Sequence, residues 1–102
     1  MPLQRPVFSI ITVSYNAEQT IGATLQSVTD QQDVEGLVEH WVVDGASKDG
    51  TLDVVRRFPH VRYISEPDKG ITDAFNKGMH LARGDYIIYL NCDDIFHDRR
   101  VL

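Results

Sequence analysis

The chain has 102 residues with ordinary apolar (42%) and charged (25%) shares, and its formal charge of −5 comes from 15 Asp and Glu against 10 Lys and Arg. That length supports one domain with a core but leaves a complete two-substrate transferase cramped, and the scattered basic residues argue against nucleic-acid partners. A single cysteine, Cys92, excludes an intrachain disulfide, no apolar run approaches the roughly 20 residues of a spanning helix, and the first six residues lack the apolar core of a signal peptide. The expected location is the cytoplasm, with peripheral association at the inner face of a membrane left open through sequence outside this chain.

The β-branched run from Phe8 to Ser14 predicts a first strand. Asn16 followed by Gln19 reads as an N-cap with its capping-box partner, opening a helix with Ile21, Leu25 and Val28 on one face until the pattern breaks over 30–36. His40 to Asp44 predicts the second strand, closed by the turn at 45–50; Leu52, Val55 and Phe58 then mark a short helix that Pro59 stops. A third strand is predicted over 61–65. The turn Glu66-Pro67-Asp68-Lys69-Gly70 leads into a helix with the apolar stripe Ile71, Ala74, Phe75, Gly78 and Ala82, ending at a C-cap on Gly84, with Met79 also read as packing. Finally, Tyr86 to Leu90 reads as a buried fourth strand that stops abruptly before Asp93 and Asp94. Trp41 is expected in the core, and the four histidines, which show no metal spacing, at the surface or in packing.

Four strands alternating with three helices, β-α-β-α-β-α-β, imply an α/β fold with right-handed crossovers, a mainly parallel Rossmann-like sheet and helices on both faces. In such a sheet the residues just past each strand gather at one edge. Here they are Tyr15 and Asn16, then Asp44, then Glu66 and Asp68, then Asn91, Asp93 and Asp94. Neighbouring carboxylates repel, so the edge makes chemical sense if a divalent cation with oxygen ligands sits between them and an anionic group such as a nucleoside diphosphate. A dinucleotide fold needs a glycine-rich turn after the first strand and a P-loop needs Gly-Lys-Ser/Thr; Ser14-Tyr15-Asn16-Ala17 supplies neither. A receiver domain would want its acids at the same place, and none is there.

Four blocks, at residues 8–16 ending Ser14-Tyr15-Asn16, at 42–51 containing Asp44-Gly45-Ala46-Ser47-Lys48-Asp49-Gly50-Thr51, at 70–78 and at 90–94, occur in order and at the right spacing. Together they resemble the N-terminal half of a family 2 glycosyltransferase with the GT-A fold, so that residues 1–102 read as a single domain, the truncated donor-binding half. The resemblance implies that Tyr15 packs on the nucleobase, that Asp44 hydrogen-bonds base or ribose, and that the acids after the fourth strand hold Mg²⁺ or Mn²⁺. Family members usually carry Asp-X-Asp there, whereas this chain has Asn91-Cys92-Asp93. The metal ligands are then Asp93 and Asp94, with Tyr15, Asn16, Asp44, Asp73 and Asn91 around the donor.

The implied reaction is inverting transfer of a sugar from a nucleoside diphosphate donor, UDP-sugar favoured, to a carbohydrate or lipid-linked acceptor hydroxyl in polysaccharide biosynthesis. Its carboxylate base is expected beyond Leu102, and this piece alone is expected to be inactive. Two other classes stay open on the residues themselves: a non-catalytic nucleotide-sugar-binding module, and a structural domain whose acids cap helices.

Overall fold

The computed structural model describes residues 6–31 and 37–93. Seven elements alternate along it: β1 (Phe8–Ser14), α1 (Ile21–Thr29), β2 (Val38–Asp44), α2 (Thr51–Val55), β3 (Arg62–Ser65), α3 (Ile71–Leu81) and β4 (Tyr86–Tyr89). The strands form one sheet in the order β3-β2-β1-β4, and every neighbouring pair is parallel. Because the chain steps from β1 to β2 to β3 in one direction and then returns across the sheet to β4, right-handed crossovers put the first two helices on one face and the third on the other. The packing follows that rule. Ile21 and Leu25 of α1 meet Val42 and Val55 on one side, while Ala74 of α3 meets Ile11, Val13 and Val43 on the other.

The register places Ser14 beside Asp44 and Asp44 beside Ser65, so three strands finish level with one another. The strand order reverses at β1, and the crevice of a doubly wound sheet opens at the carboxyl ends of the strands on either side of such a reversal. Here those strands are β1 and β4.

Four sequence expectations need correction. Asn16 does not cap α1: the helix starts four residues later, from Thr20 with no side-chain cap, and Asn16 sits in the left-handed region at φ 48°. Its short polar side chain tolerates that conformation and is used instead by a neighbouring loop. The α3 stripe is narrower than its apolar residues suggest, since Ile71 and Met79 are exposed and only Ala74 and Gly78 are fully buried. Gly84 is not a C-cap, because α3 ends at Ala82 in extended backbone; Gly84 instead donates its N–H to Ser9 Oγ at 2.7 Å in the turn before β4. Nor is β4 a buried strand: among the described residues it is a sheet edge, with Tyr86, Ile87 and Tyr89 exposed.

At the opposite end of the sheet from the crevice, Ser9 also donates to Glu39 Oε2 at 2.5 Å, and Trp41 Nε1 donates to Glu39 Oε1 at 3.2 Å. Burial works to raise the Glu39 carboxyl, but hydrogen bonds from Ser9, the Arg83 N–H, Trp41 and the Gly84 N–H together hold it below its ordinary value. This carboxylate fixes where α3 hands over to β4. Trp41 is half-buried, with the Arg62 guanidinium 5.9 Å from its ring centroid, away from the crevice.

Gly78 is where α3 touches the sheet. A Cβ there would lie 2.5 Å from Ile11 Cγ2 and 3.1 Å from Cδ1, and Ile11 is fully buried. Overpacking of this kind costs about 1–3 kcal/mol, against a helix-propensity gain of about 1 kcal/mol for replacing glycine. Gly78→Ala should therefore lower stability, by up to about 2 kcal/mol, in urea titration, and a raised midpoint would contradict this packing.

His40 is 2% exposed, and its Nε2 lies 2.8 Å from Thr12 Oγ1 while Nδ1 has no partner. Burial, helped by the charge of His60, pushes its pKa down to about 3. The unfolded ring takes a proton near pH 6.5 and the folded ring does not, so stability is intact above about 6.5 and falls as pH drops from there towards 3. The slope is roughly 1.4 kcal/mol per pH unit. Denaturation at pH 7.5 and 5 should show a loss of about 2 kcal/mol from this group, absent in His40→Gln; equal slopes in the two proteins would contradict it.

Candidate functional site

The centre of the site is a carboxylate that faces inward. Asp44, the last residue of β2, is fully buried. Its Oδ1 accepts from Ser14 Oγ at 2.7 Å and Ser47 Oγ at 2.5 Å, and its Oδ2 accepts from the Ser47 N–H at 2.8 Å and Ser65 Oγ at 2.8 Å. Two donors on each oxygen occupy the acceptor capacity of a carboxylate. One side chain thus joins the ends of β1, β2 and β3 to the loop after β2. In this arrangement Asp44 stands behind the crevice, and contact with a base or ribose would require some of these bonds to be given up.

From Asp44 the order spreads to the surface through the two loops that follow β1 and β2. Ser47 Oγ also accepts the Asn16 N–H at 2.8 Å, and Asn16 Oδ1 accepts the Lys48 N–H at 2.8 Å. Thr51 Oγ1 accepts the Ala17 N–H at 2.8 Å, and Glu18 Oε1 accepts the Gly50 N–H at 3.0 Å. The Thr51 hydroxyl, which donates to Asp49, holds that carboxyl below its ordinary range. Asn16 at φ 48° and Ala46 at φ 62° both occupy the left-handed region, which costs a non-glycine residue about 1–2 kcal/mol. The laced loops hold that strain in place, and the result is a fixed mount for Tyr15.

A third loop, between β3 and α3, completes the walls. Gly70 turns it at φ 116°, a conformation that favours glycine. Asp68 Oδ1 accepts the Gly70 N–H at 3.0 Å and Asp73 Oδ2 accepts the Lys69 N–H at 2.9 Å. Lys77 reaches back from α3 to Glu66 Oε1 at 3.0 Å and to the Pro67 carbonyl at 3.1 Å. The hydrogen bond to Glu66 is the largest of the effects that hold the Lys77 ammonium above its usual range.

Between these loops lies a cleft of about 330 Å³ lined by Val13, Ser14, Tyr15, Asp68, Gly70, Ile71, Asn91 and Cys92. This is the crevice beside β1 and β4, and its size lies within the range of small-molecule sites. Tyr15 is 57% exposed there, a flat ring at the mouth. Asn91 Oδ1 accepts the Cys92 N–H at 2.9 Å, and the Cys92 carbonyl accepts from Thr24 Oγ1 at 3.0 Å, which anchors the strand exit to α1.

Of the residues predicted from sequence, Tyr15 and Asn91 line the cleft. Asn16 in the loop after β1, Asp44 at the end of β2 and Asp73 in the first turn of α3 are held around it. Asp93 is exposed just past the cleft, and Asp94 lies outside the described residues. Sequence reasoning brought Asp68 to the edge without giving it a role, and it missed Gly70 and Ile71. The signal for Asp68 was its place right after a strand, in the turn Glu66-Pro67-Asp68-Lys69-Gly70.

No group of three His, Cys, Asp or Glu among the described residues could hold a metal unaided. Asp93 nevertheless suits a hard cation: it is exposed, and among the described residues it has no ion-pair or hydrogen-bond partner. One or two carboxylates shared with phosphate oxygens and water are a usual way to bind Mg²⁺. The residues therefore fit a cation that arrives with a phosphorylated ligand. Among the described residues no helix is long and apolar enough to cross a membrane.

Comparison with known proteins agrees with the topology. The chain is 37% identical to the putative teichuronic acid biosynthesis glycosyltransferase TuaG of Bacillus subtilis, over 88% of this chain and 37% of that protein. It is 36% identical to a PGL/p-HBAD biosynthesis glycosyltransferase of Mycobacterium bovis, over 95% of this chain and 39% of the relative. The chain thus spans under two-fifths of the length of these relatives. Among solved structures, the mannosyltransferase PcManGT of Pyrobaculum calidifontis in complex with GDP-Man and Mn²⁺ superposes with a TM-score of 0.85 at 28% identity, over 93% of this chain and 30% of that one. TarS of S. aureus in complex with UDP-GlcNAc gives 0.83 at 26%, over 87% and 27%. These neighbours are GT-A glycosyltransferases matched over their N-terminal regions. The model of the family described as glycosyl transferase family 2 matches residues 9–102, and the chain belongs to that family.

Proposed function

We propose that this chain is the donor-binding part of an inverting glycosyltransferase that takes its sugar from a metal-bound nucleoside diphosphate. The observation that carries the reading is the cleft at the β1/β4 switch point, walled by an aromatic ring and acidic and amide side chains instead of a glycine-rich phosphate loop. Support comes from solved neighbours that hold UDP-GlcNAc, or GDP-Man with Mn²⁺.

In this reading Tyr15 stacks on the nucleobase, since a half-exposed ring on a rigid loop offers a flat apolar face at little entropic cost. Asn91 has its amide oxygen engaged by Cys92, so its nitrogen is turned to donate to a phosphate or sugar oxygen. Asp93, with Asp94 beside it in sequence, holds the Mg²⁺ or Mn²⁺ ion. A cation bound there neutralises charge on the departing diphosphate. Asn16 and Asp73 act by fixing the loops they lace, and Asp44 by fixing both sides of the cleft. The acceptor is a carbohydrate or a lipid-linked glycan, and the work is done on the cytoplasmic side. The length matched in the relatives keeps a second reading in view, a module that binds the donor without turning it over.

Calorimetric titration of UDP and GDP with and without Mn²⁺ tests the proposal. Binding should depend on Mn²⁺, and Asp93→Asn should weaken it at least tenfold while leaving circular dichroism unchanged. Equal binding by variant and wild type would remove Asp93 from the metal site. Donor hydrolysis or transfer, measured alongside, separates the enzyme from the binding module.

A further inference from the structure

Among the described residues the sheet ends at β3, and just past that strand the Glu66 N–H donates inward to the Asp44 carbonyl at 3.0 Å. Bonding groups alternate along a strand, so Arg62 and Ile64 face β2 as well, while Tyr63 and Ser65 aim N–H and C=O out of the sheet, where no described residue meets them. Side chains alternate too. Arg62, Ile64 and Glu66 stand on the α3 face: the Arg62 guanidinium lies 5.9 Å from the Trp41 ring centroid, Ile64 packs against the cluster of Ile11, Val13, Val43 and Ala74, and Glu66 meets Lys77. A cation, an apolar residue and an anion in that order become their own complement when the strand is reversed. Charged side chains guard an edge against pairing when they meet their like, and on this edge a reversed copy brings opposite charges together.

We propose that β3 pairs antiparallel with β3 of a second copy of this chain, about a two-fold axis through Ile64, and joins the two sheets into one. In this register Tyr63 lies opposite Ser65 of the second copy, a pair that exchanges both N–H···O bonds, and the symmetry repeats it. On the α3 face Arg62 lies opposite Glu66 of the second copy, with Ile64 against Ile64 between the two ion pairs. The neighbouring registers set Tyr63 against itself or Ser65 against itself. They then bring up Val61, whose N–H is held by the Phe58 carbonyl at 2.9 Å, or Pro67, which has no N–H, and neither sets Arg62 against Glu66. The crevice beside β1 and β4 lies across the sheet from this edge and stays open in the dimer, so the proposal is independent of what the cleft binds. A strand of four residues offers a small interface, and the association is accordingly weak and reversible.

Sedimentation equilibrium from about 10 μM to about 1 mM, a range that covers weak encounters, tests the pairing on wild type, Arg62→Glu and Glu66→Arg, with circular dichroism confirming the fold of each. The wild-type mass should rise from one chain towards two. Arg62→Glu sets carboxylate against carboxylate at both ends of the interface and Glu66→Arg sets guanidinium against guanidinium, so each variant alone should dimerise about tenfold more weakly or worse. Mixed in equal amounts, the two variants regain opposite charges at both ends, and the mixture should return to within about threefold of the wild-type affinity. A wild type that stays a single chain at about 1 mM overturns the proposal and leaves this edge to solvent or to a different partner. Variants that dimerise as well as wild type place the contact on another surface, and a mixture no stronger than its separate components contradicts the register; either result overturns the proposal.

Discussion

The organisation of this protein's functional edge rests on one buried charge and the donors that surround it. Asp44 ends β2 with both carboxylate oxygens doubly bonded to groups from β1, β3 and the following loop. A carboxylate left unpaired at such depth costs several kcal/mol, and hydrogen bonds to a charged group contribute about 1.5–3 kcal/mol each. The network is therefore close to all-or-none. Ser14, Ser47 and Ser65 are each small enough to bring an oxygen up to Asp44 without separating the strands, and their hydroxyl protons can rotate to suit it.

The same network explains how a short chain can hold a shaped cleft. Left-handed backbone at Asn16 and Ala46 is unfavourable alone, and bonds from Asn16 and Ser47 across the two loops keep it in place. With those loops fixed, the backbone that carries Tyr15 is fixed too. Across the crevice, Lys77 and Asp73 do the same for the loop that carries Asp68. If phosphate is met through a cation, as proposed, without a glycine-rich cradle, this kind of wall is what the site requires, since side chains held in advance bind a ligand at lower entropic cost.

Much of the fold was legible because the periodicities are clean. Phe8–Ser14 was read with its true bounds, since its β-branched and apolar run has turn residues at its end. The βαβ alternation carried the parallel sheet with it. Asn16 misled because a polar residue before an apolar helix looks like a cap, while its left-handed backbone and the Lys48 N–H that claims it, 32 residues away, are tertiary facts. Ile71 and Met79 misled because α3 approaches the sheet through Ala74 and Gly78, and so close a contact leaves a narrow buried stripe. At the site, the strand-end rule brought the right loops together. It could not tell a carboxylate facing inward, Asp44, from one facing the cleft, Asp68, since that depends on which serines lie across the strand ends.

The most direct test of this account is the stability of Asp44→Asn without any nucleotide or metal. If Asp44 serves the fold, the isosteric amide sets an N–H₂ against existing donors, and urea denaturation should show a loss of about 2–4 kcal/mol. A variant as stable as wild type that had lost only its affinity for nucleotide would contradict the account, and would return Asp44 to the ligand.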